Sequence, residues 1–111
     1  MVGRLSLIAL LLTGCSSAKD EELAAAKGAR SVLAEWSVVE RLDGAGRLPS
    51  IYSGEMRDKA REALLTERKS IKDPDAAGIA DSVLRVRAPC ARSLADAGAS
   101  FQQAVDRLEV H

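Results

Sequence analysis

Apolar residues recur at three- and four-residue steps along most of the chain, and no segment alternates apolar and polar long enough to make a strand. A first helix is predicted from about Asp20 to Leu42, with Ala29, Val32, Leu33, Trp36 and Val39 on its apolar face. Its acidic start, Asp20-Glu21-Glu22, suits the positive end of a helix dipole. Asp43-Gly44-Ala45-Gly46 stops it, and Leu48-Pro49-Ser50 completes the turn. A second helix is predicted from about Ser53 to Ile71, carrying Met56, Ala60, Ala63, Leu64 and Ile71 on one side. Asp73 is then an N-cap with Pro74 at the first helical position. The third helix, Pro74 to Val86, presents Ala76, Ile79, Val83 and Val86. Pro89 interrupts the chain, and a fourth helix to about Glu109 places Leu94, Ala97, Phe101, Val105 and Leu108 together. Abundant Ala, Leu, Arg and Glu favour helix by propensity as well.

The first fourteen residues obey a different pattern. Arg4 supplies an early positive charge, and Leu5 to Leu12 is apolar but for Ser6. Thr13 and Gly14 are small and precede Cys15. Charged, apolar and small segments in that order are what a secretory signal needs. The apolar run is about half of what a bilayer core requires. Nor does Ile8-Ala9-Leu10-Leu11-Leu12 offer the polar face of a free core helix. The expected architecture is therefore all-α, a small antiparallel bundle of three to four helices after a cleaved signal segment.

Leu12-Thr13-Gly14-Cys15 resembles the lipobox of bacterial lipoprotein precursors: branched aliphatic, small polar, small, cysteine. The resemblance implies that the Cys15 thiol receives a diacylglyceryl group, that cleavage follows Gly14, and that the new amino terminus of Cys15 is acylated. It divides the chain into a signal peptide (1–14), a lipidated tether (15–19) and a helical domain (20–111). Two or more acyl chains make a stable anchor, because each buried methylene contributes about 0.8 kcal/mol. Position 16 is Ser rather than Asp. In the sorting rule of enteric bacteria this implies the outer membrane, facing the periplasm. Lipidation of Cys15 would leave Cys90 without an intramolecular partner, so the domain must stand on its core alone.

Charge and composition narrow the functions. The 111 residues hold 16 Lys+Arg and 16 Asp+Glu, with 47% hydrophobic and 29% charged residues. That balance belongs to a globular domain and lacks the basic excess of a nucleic-acid binder. Removal of Arg4 leaves the mature domain slightly acidic. The single histidine, His111, is the last residue given, so neither a Ser-His nor a Cys-His nucleophile can be assembled on a rigid scaffold. A tetrahedral metal site lacks ligands, and Gly44-Ala45-Gly46 is no phosphate loop. No enzyme, metal or cofactor is expected beyond the covalent lipid.

Four features remain as candidates. Cys90 reads as a small apolar filler at the start of the fourth helix, or alternatively as a redox-active thiol or one half of an intermolecular disulfide. Glu40 and Glu67 project onto apolar faces, and each is expected to pair with an arginine of a neighbouring helix or to sit at the rim. Paired carboxylates doing metal or acid–base work would be the alternative. Arg57, Arg61, Arg68 and Lys72 form a basic edge on the second helix. It reads as a solvated face balanced by Glu55, Asp58 and Glu62, or as a contact for lipid or phosphate anions. Trp36 and Phe101 are expected in the core, whereas Tyr52 falls at the turn and suits either core or interface.

The function expected is that of a membrane-anchored, non-catalytic adaptor or accessory protein acting through contacts with another envelope protein. A lipid- or phosphate-binding helical module is the alternative, as is an exclusion or immunity lipoprotein. The residues do not separate the last from the first, and they leave the oligomeric state open.

Overall fold

The computed structural model describes residues 2–110, with side chains from residue 19 onward. It is built from α1 (Val2–Gly44), α2 (Ser50–Arg68), α3 (Pro74–Arg85) and α4 (Ala91–Val110), with no strand among the described residues. The helices run up, down, up and down. α1 packs along α4 and α2, while α3 closes the ring by touching α2 and α4 along shorter seams. This is the expected small antiparallel helical bundle.

Each boundary has a local cause. α1 starts before Asp20 and takes in residues 15–19, expected as a tether, because neither Gly nor Pro interrupts the backbone between Cys15 and Lys27. It stops where Gly46 takes a left-handed φ of 70°. Arg47 N–H then bonds Leu42 O at 2.9 Å and Gly46 N–H bonds Asp43 O at 2.9 Å, the paired closure of a Schellman motif. α2 begins three residues earlier than expected, at Ser50, with Pro49 as its extended cap residue. Tyr52 therefore lies in the first turn of α2 rather than in the connecting turn. α2 also ends earlier, at Arg68, and its end tightens through Lys69 N–H to Thr66 O and Ser70 N–H to Glu67 O. Asp73 caps α3 as expected, accepting from Ala76 N–H at 3.0 Å. α3 ends at Arg85, one residue short, because Val86 turns extended at φ −80° and ψ 125°.

The core joins Ala25, Ala26, Ala29, Leu33 and Trp36 of α1 to Leu64 of α2 and to Leu94, Phe101, Ala104 and Val105 of α4. Trp36 and Phe101 are core residues, as their size and spacing predict. Val32, Ile79, Ala97 and Leu108 pack on the edge of this cluster and are only half-buried. Val86 is a correction: expected on the apolar face of the third helix, it is exposed because the helix has ended before it.

Candidate functional site: an arginine cleft at one end of the bundle

The ends of α1 and α3 and the beginnings of α2 and α4 meet at one end of the molecule. A cleft of about 550 Å³ opens there, lined among others by Trp36, Glu40, Arg57, Arg61, Arg87 and Cys90. Its floor is ordered by one carboxylate. Glu40 Oε2 accepts from the Trp36 indole N–H at 3.0 Å and from Arg57 Nε at 2.6 Å, while Oε1 accepts a second Arg57 N–H at 2.9 Å. Arg57 also donates to Asp43. Such forked, charge-assisted bonds are the stronger class. The two carboxylates hold the Arg57 guanidinium well above its ordinary pKa, Glu40 contributing most. Arg57, with help from the Ser53 hydroxyl, in turn holds the Asp43 carboxyl below the ordinary range.

Arg61 lies one helical turn further along α2, with its guanidinium 5.1 Å from the centroid of the Trp36 ring. That is a cation–π separation. The same group donates to three carbonyl oxygens, one in the last turn of α3 and two in the α3–α4 connection: Leu84 at 2.9 Å, Val86 at 3.0 Å and Arg87 at 3.2 Å. These carbonyls are orphaned where α3 ends, so Arg61 caps α3 from a neighbouring helix. Arg68 forks onto Asp81 of α3 at 2.8 and 3.2 Å and donates to Ile71 O at 3.1 Å. It holds the Asp81 carboxyl below the ordinary range. Lys72 lies beyond α2, and its backbone N–H donates to Glu22 at 2.6 Å.

The expected basic edge is thus distributed among several roles. Arg57, Arg61 and Arg68 do not form a solvated face balanced by Glu55, Asp58 and Glu62; they bond Glu40, Asp43, Asp81 and backbone carbonyls instead. Glu40 pairs with an arginine of the next helix, as its position on an apolar face predicts. Glu67 sits at the rim, its carboxylate over Gly28, where an added Cβ would collide with it.

Cys90 corrects the reading of a buried filler, because it is exposed. Its carbonyl accepts Leu94 N–H at 3.1 Å and its sulfur faces Ser93 N–H at 3.4 Å, so it occupies the N-cap position of α4. Hydrogen bonding from Ser93, side chain first, holds the thiol below its ordinary pKa. A polar side chain three residues after Pro89-Cys90 was the available signal for a cap.

A shallower groove of about 610 Å³ runs between α3 and α4, lined by Ile79, Val83 and Ala97 with Asp75 and Asp96 beside them. Among the described residues no cluster of three His, Cys, Asp or Glu side chains could hold a metal ion, and no helix is long and apolar enough to cross a membrane. The side chain of Cys15, and His111 as a whole, lie outside the described residues. Comparison with protein-family models, curated proteins and solved structures returns no match to the chain.

Proposed function

We infer that the protein is a lipid-anchored accessory protein of the bacterial cell envelope, working through contacts with another protein and without turnover of its own. The observation that carries this reading is the Leu12-Thr13-Gly14-Cys15 junction directly after the apolar run Leu5 to Leu12. The anchor is a diacylglyceryl group on the Cys15 thiol with an acyl chain on its amino group, and Ser16 points to the outer membrane with the domain in the periplasm. A small bundle whose conspicuous cleft is spanned by paired arginines and carboxylates suits a scaffold for contacts better than a reaction chamber. An anion contact through Arg57, Arg61, Arg68 and Lys72 has less support, since the first three would have to leave bonds within the bundle.

Labelling of cells with a palmitate analogue tests the reading. The wild-type chain should take up label and float with outer-membrane fractions, and Cys15→Ser should abolish both. An unlabelled wild-type protein would overturn the anchor. In-cell crosslinking should then give one dominant protein adduct; adducts to lipid alone would favour the anion-binding alternative.

A further inference from the structure

Charge is unevenly distributed along the bundle. At the end of the bundle near residue 19, where the described side chains of α1 begin, acids outnumber bases: Asp20, Glu21, Glu22, Glu67, Asp73, Asp75, Asp106 and Glu109 face a smaller set that is mostly lysine. At the opposite end the two carboxylates Glu40 and Asp43 are taken up by Arg57. Arg41, Arg47, Arg85, Arg87 and Arg92 are all exposed there, and none forms an ion pair among the described residues. Carboxylates outside any ion pair near this end include Glu55, Asp58 and Asp96, fewer than these five arginines.

Some of these arginines have an ordinary explanation. Arg41 and Arg85 occupy the last turns of α1 and α3, where a cation offsets the negative end of the helix dipole. Arg47, Arg87 and Arg92 do not. Arg47 and Arg87 stand in connections, and Arg92 lies in the first turn of α4, the positive end of that helix. A cation there is unfavourable. Neither α2 nor α4 has an acid in its first turn to offset the field. Among the described residues no side-chain hydrogen bond engages these three guanidinium groups, so no bond within the fold accounts for them. Residues that break a local rule without a structural return tend to mark function.

The same end exposes apolar surface. Ile51 is 80% exposed, Tyr52 49% and Val86 47%. Arginine mixed with tyrosine and aliphatic side chains is the composition of protein-docking surfaces, where few lysines are found. Guanidinium groups fork onto carboxylates and stack on flat groups, which ammonium groups do not.

We propose that this end of the bundle, through Arg47, Arg87 and Arg92 around Ile51, Tyr52 and Val86, docks an acidic protein segment that carries apolar anchors between its carboxylates. The surface lies about 40 Å along α1 from residue 19. If the anchor of the proposed function holds, it therefore points away from the membrane. Only that orientation rests on the anchor; the surface itself does not.

The test uses the full chain in neutral detergent, with a glutamate–leucine copolymer as probe. The copolymer should bind at low ionic strength and weaken as salt screens the charges. The triple variant Arg47→Glu, Arg87→Glu, Arg92→Glu should lose roughly tenfold or more in affinity, as expected when central interface charges are reversed. Lys19→Glu, Lys69→Glu, Lys72→Glu makes the same change in net charge away from the surface and should bind within about twofold of wild type. Circular dichroism of both variants should match wild type. Equal losses in the two variants, or no binding by wild type at low salt, would overturn the proposal. So would a sulfated polysaccharide binding as tightly as the copolymer. Cys15→Ser should bind the copolymer normally, so a failed anchor and a failed surface give different results.

Discussion

Over its described side chains α1 buries Leu33 and Trp36 almost completely, with Val39 and three alanines, whereas the 12 residues of α3 bury three alanines and one valine. Large side chains each contribute about 1.5–3 kcal/mol on burial and alanine far less. α3 compensates with polar fastenings at both ends. Glu22 of α1 accepts the N–H groups of Lys72 and Asp73, and Arg107 of α4 pairs with Asp73 and Asp75. Arg68 holds Asp81, and Arg61 holds the carbonyls where the helix ends. One helix is held by its interior, the other by its corners. Partly exposed ion pairs are weak individually, so α3 should open at lower cost than the rest of the bundle.

The contrast can be broken hardest at Trp36. Trp36→Ala should cost about 3–5 kcal/mol and remove the platform under Arg61; denaturant unfolding should show one global loss. Arg61→Met should cost less, about 2 kcal/mol for charged hydrogen bonds, and its effect should be local. Hydrogen exchange should speed up in α3 and the α3–α4 connection while α1 amides keep their protection. Equal acceleration in α1 would show that the two helices form one cooperative unit. Asp73→Ala removes both a cap and a partner of Arg107, for a loss of about 1 kcal/mol by thermal unfolding. Gly78→Ala should sharpen the comparison in the other direction. An added Cβ there meets open space, and the gain in helix propensity is up to about 1 kcal/mol, read as slower exchange within α3 alone.

Acid should have the mildest effect. The folded pKa of Asp81 lies below its ordinary value because of Arg68. Its contribution is therefore complete above the unfolded aspartate pKa of about 3.9 and disappears as pH falls through the lower folded value. α3 protection should decline over that window before α1 protection does.

What the sequence revealed depended on whether the cause was local. The four helices, the Asp73-Pro74 start and the glycine-rich stop after α1 were legible, because periodicity, a cap and a left-handed turn each act within a few residues. The start of α2 at Ser50 was less so: Pro49 ends one element and admits the next with equal ease. The arginines of α2 were misplaced for a different reason. Glu55, Asp58 and Glu62 are their neighbours in sequence, but Glu40 and Asp81 are their neighbours across helices, 17 and 13 residues away. Cys90 was read by residue type, which favours burial, when its position just after Pro89 put it at a helix entrance. The resemblance of Leu12-Thr13-Gly14-Cys15 to a lipobox, in contrast, is a four-residue pattern that needs no fold.

The protein has a single tryptophan, and it sits where α1, the Glu40–Arg57 pair and Arg61 converge. Its fluorescence is therefore an unlabelled optical report on one junction. Loss of the indole N–H bond to Glu40 and entry of water should shift the emission to longer wavelength, and excitation at the red edge, where Tyr52 does not absorb, keeps the signal to this one side chain. A spectrum that moves while far-ultraviolet circular dichroism stays constant would isolate rearrangement at that end of the bundle from unfolding of its helices.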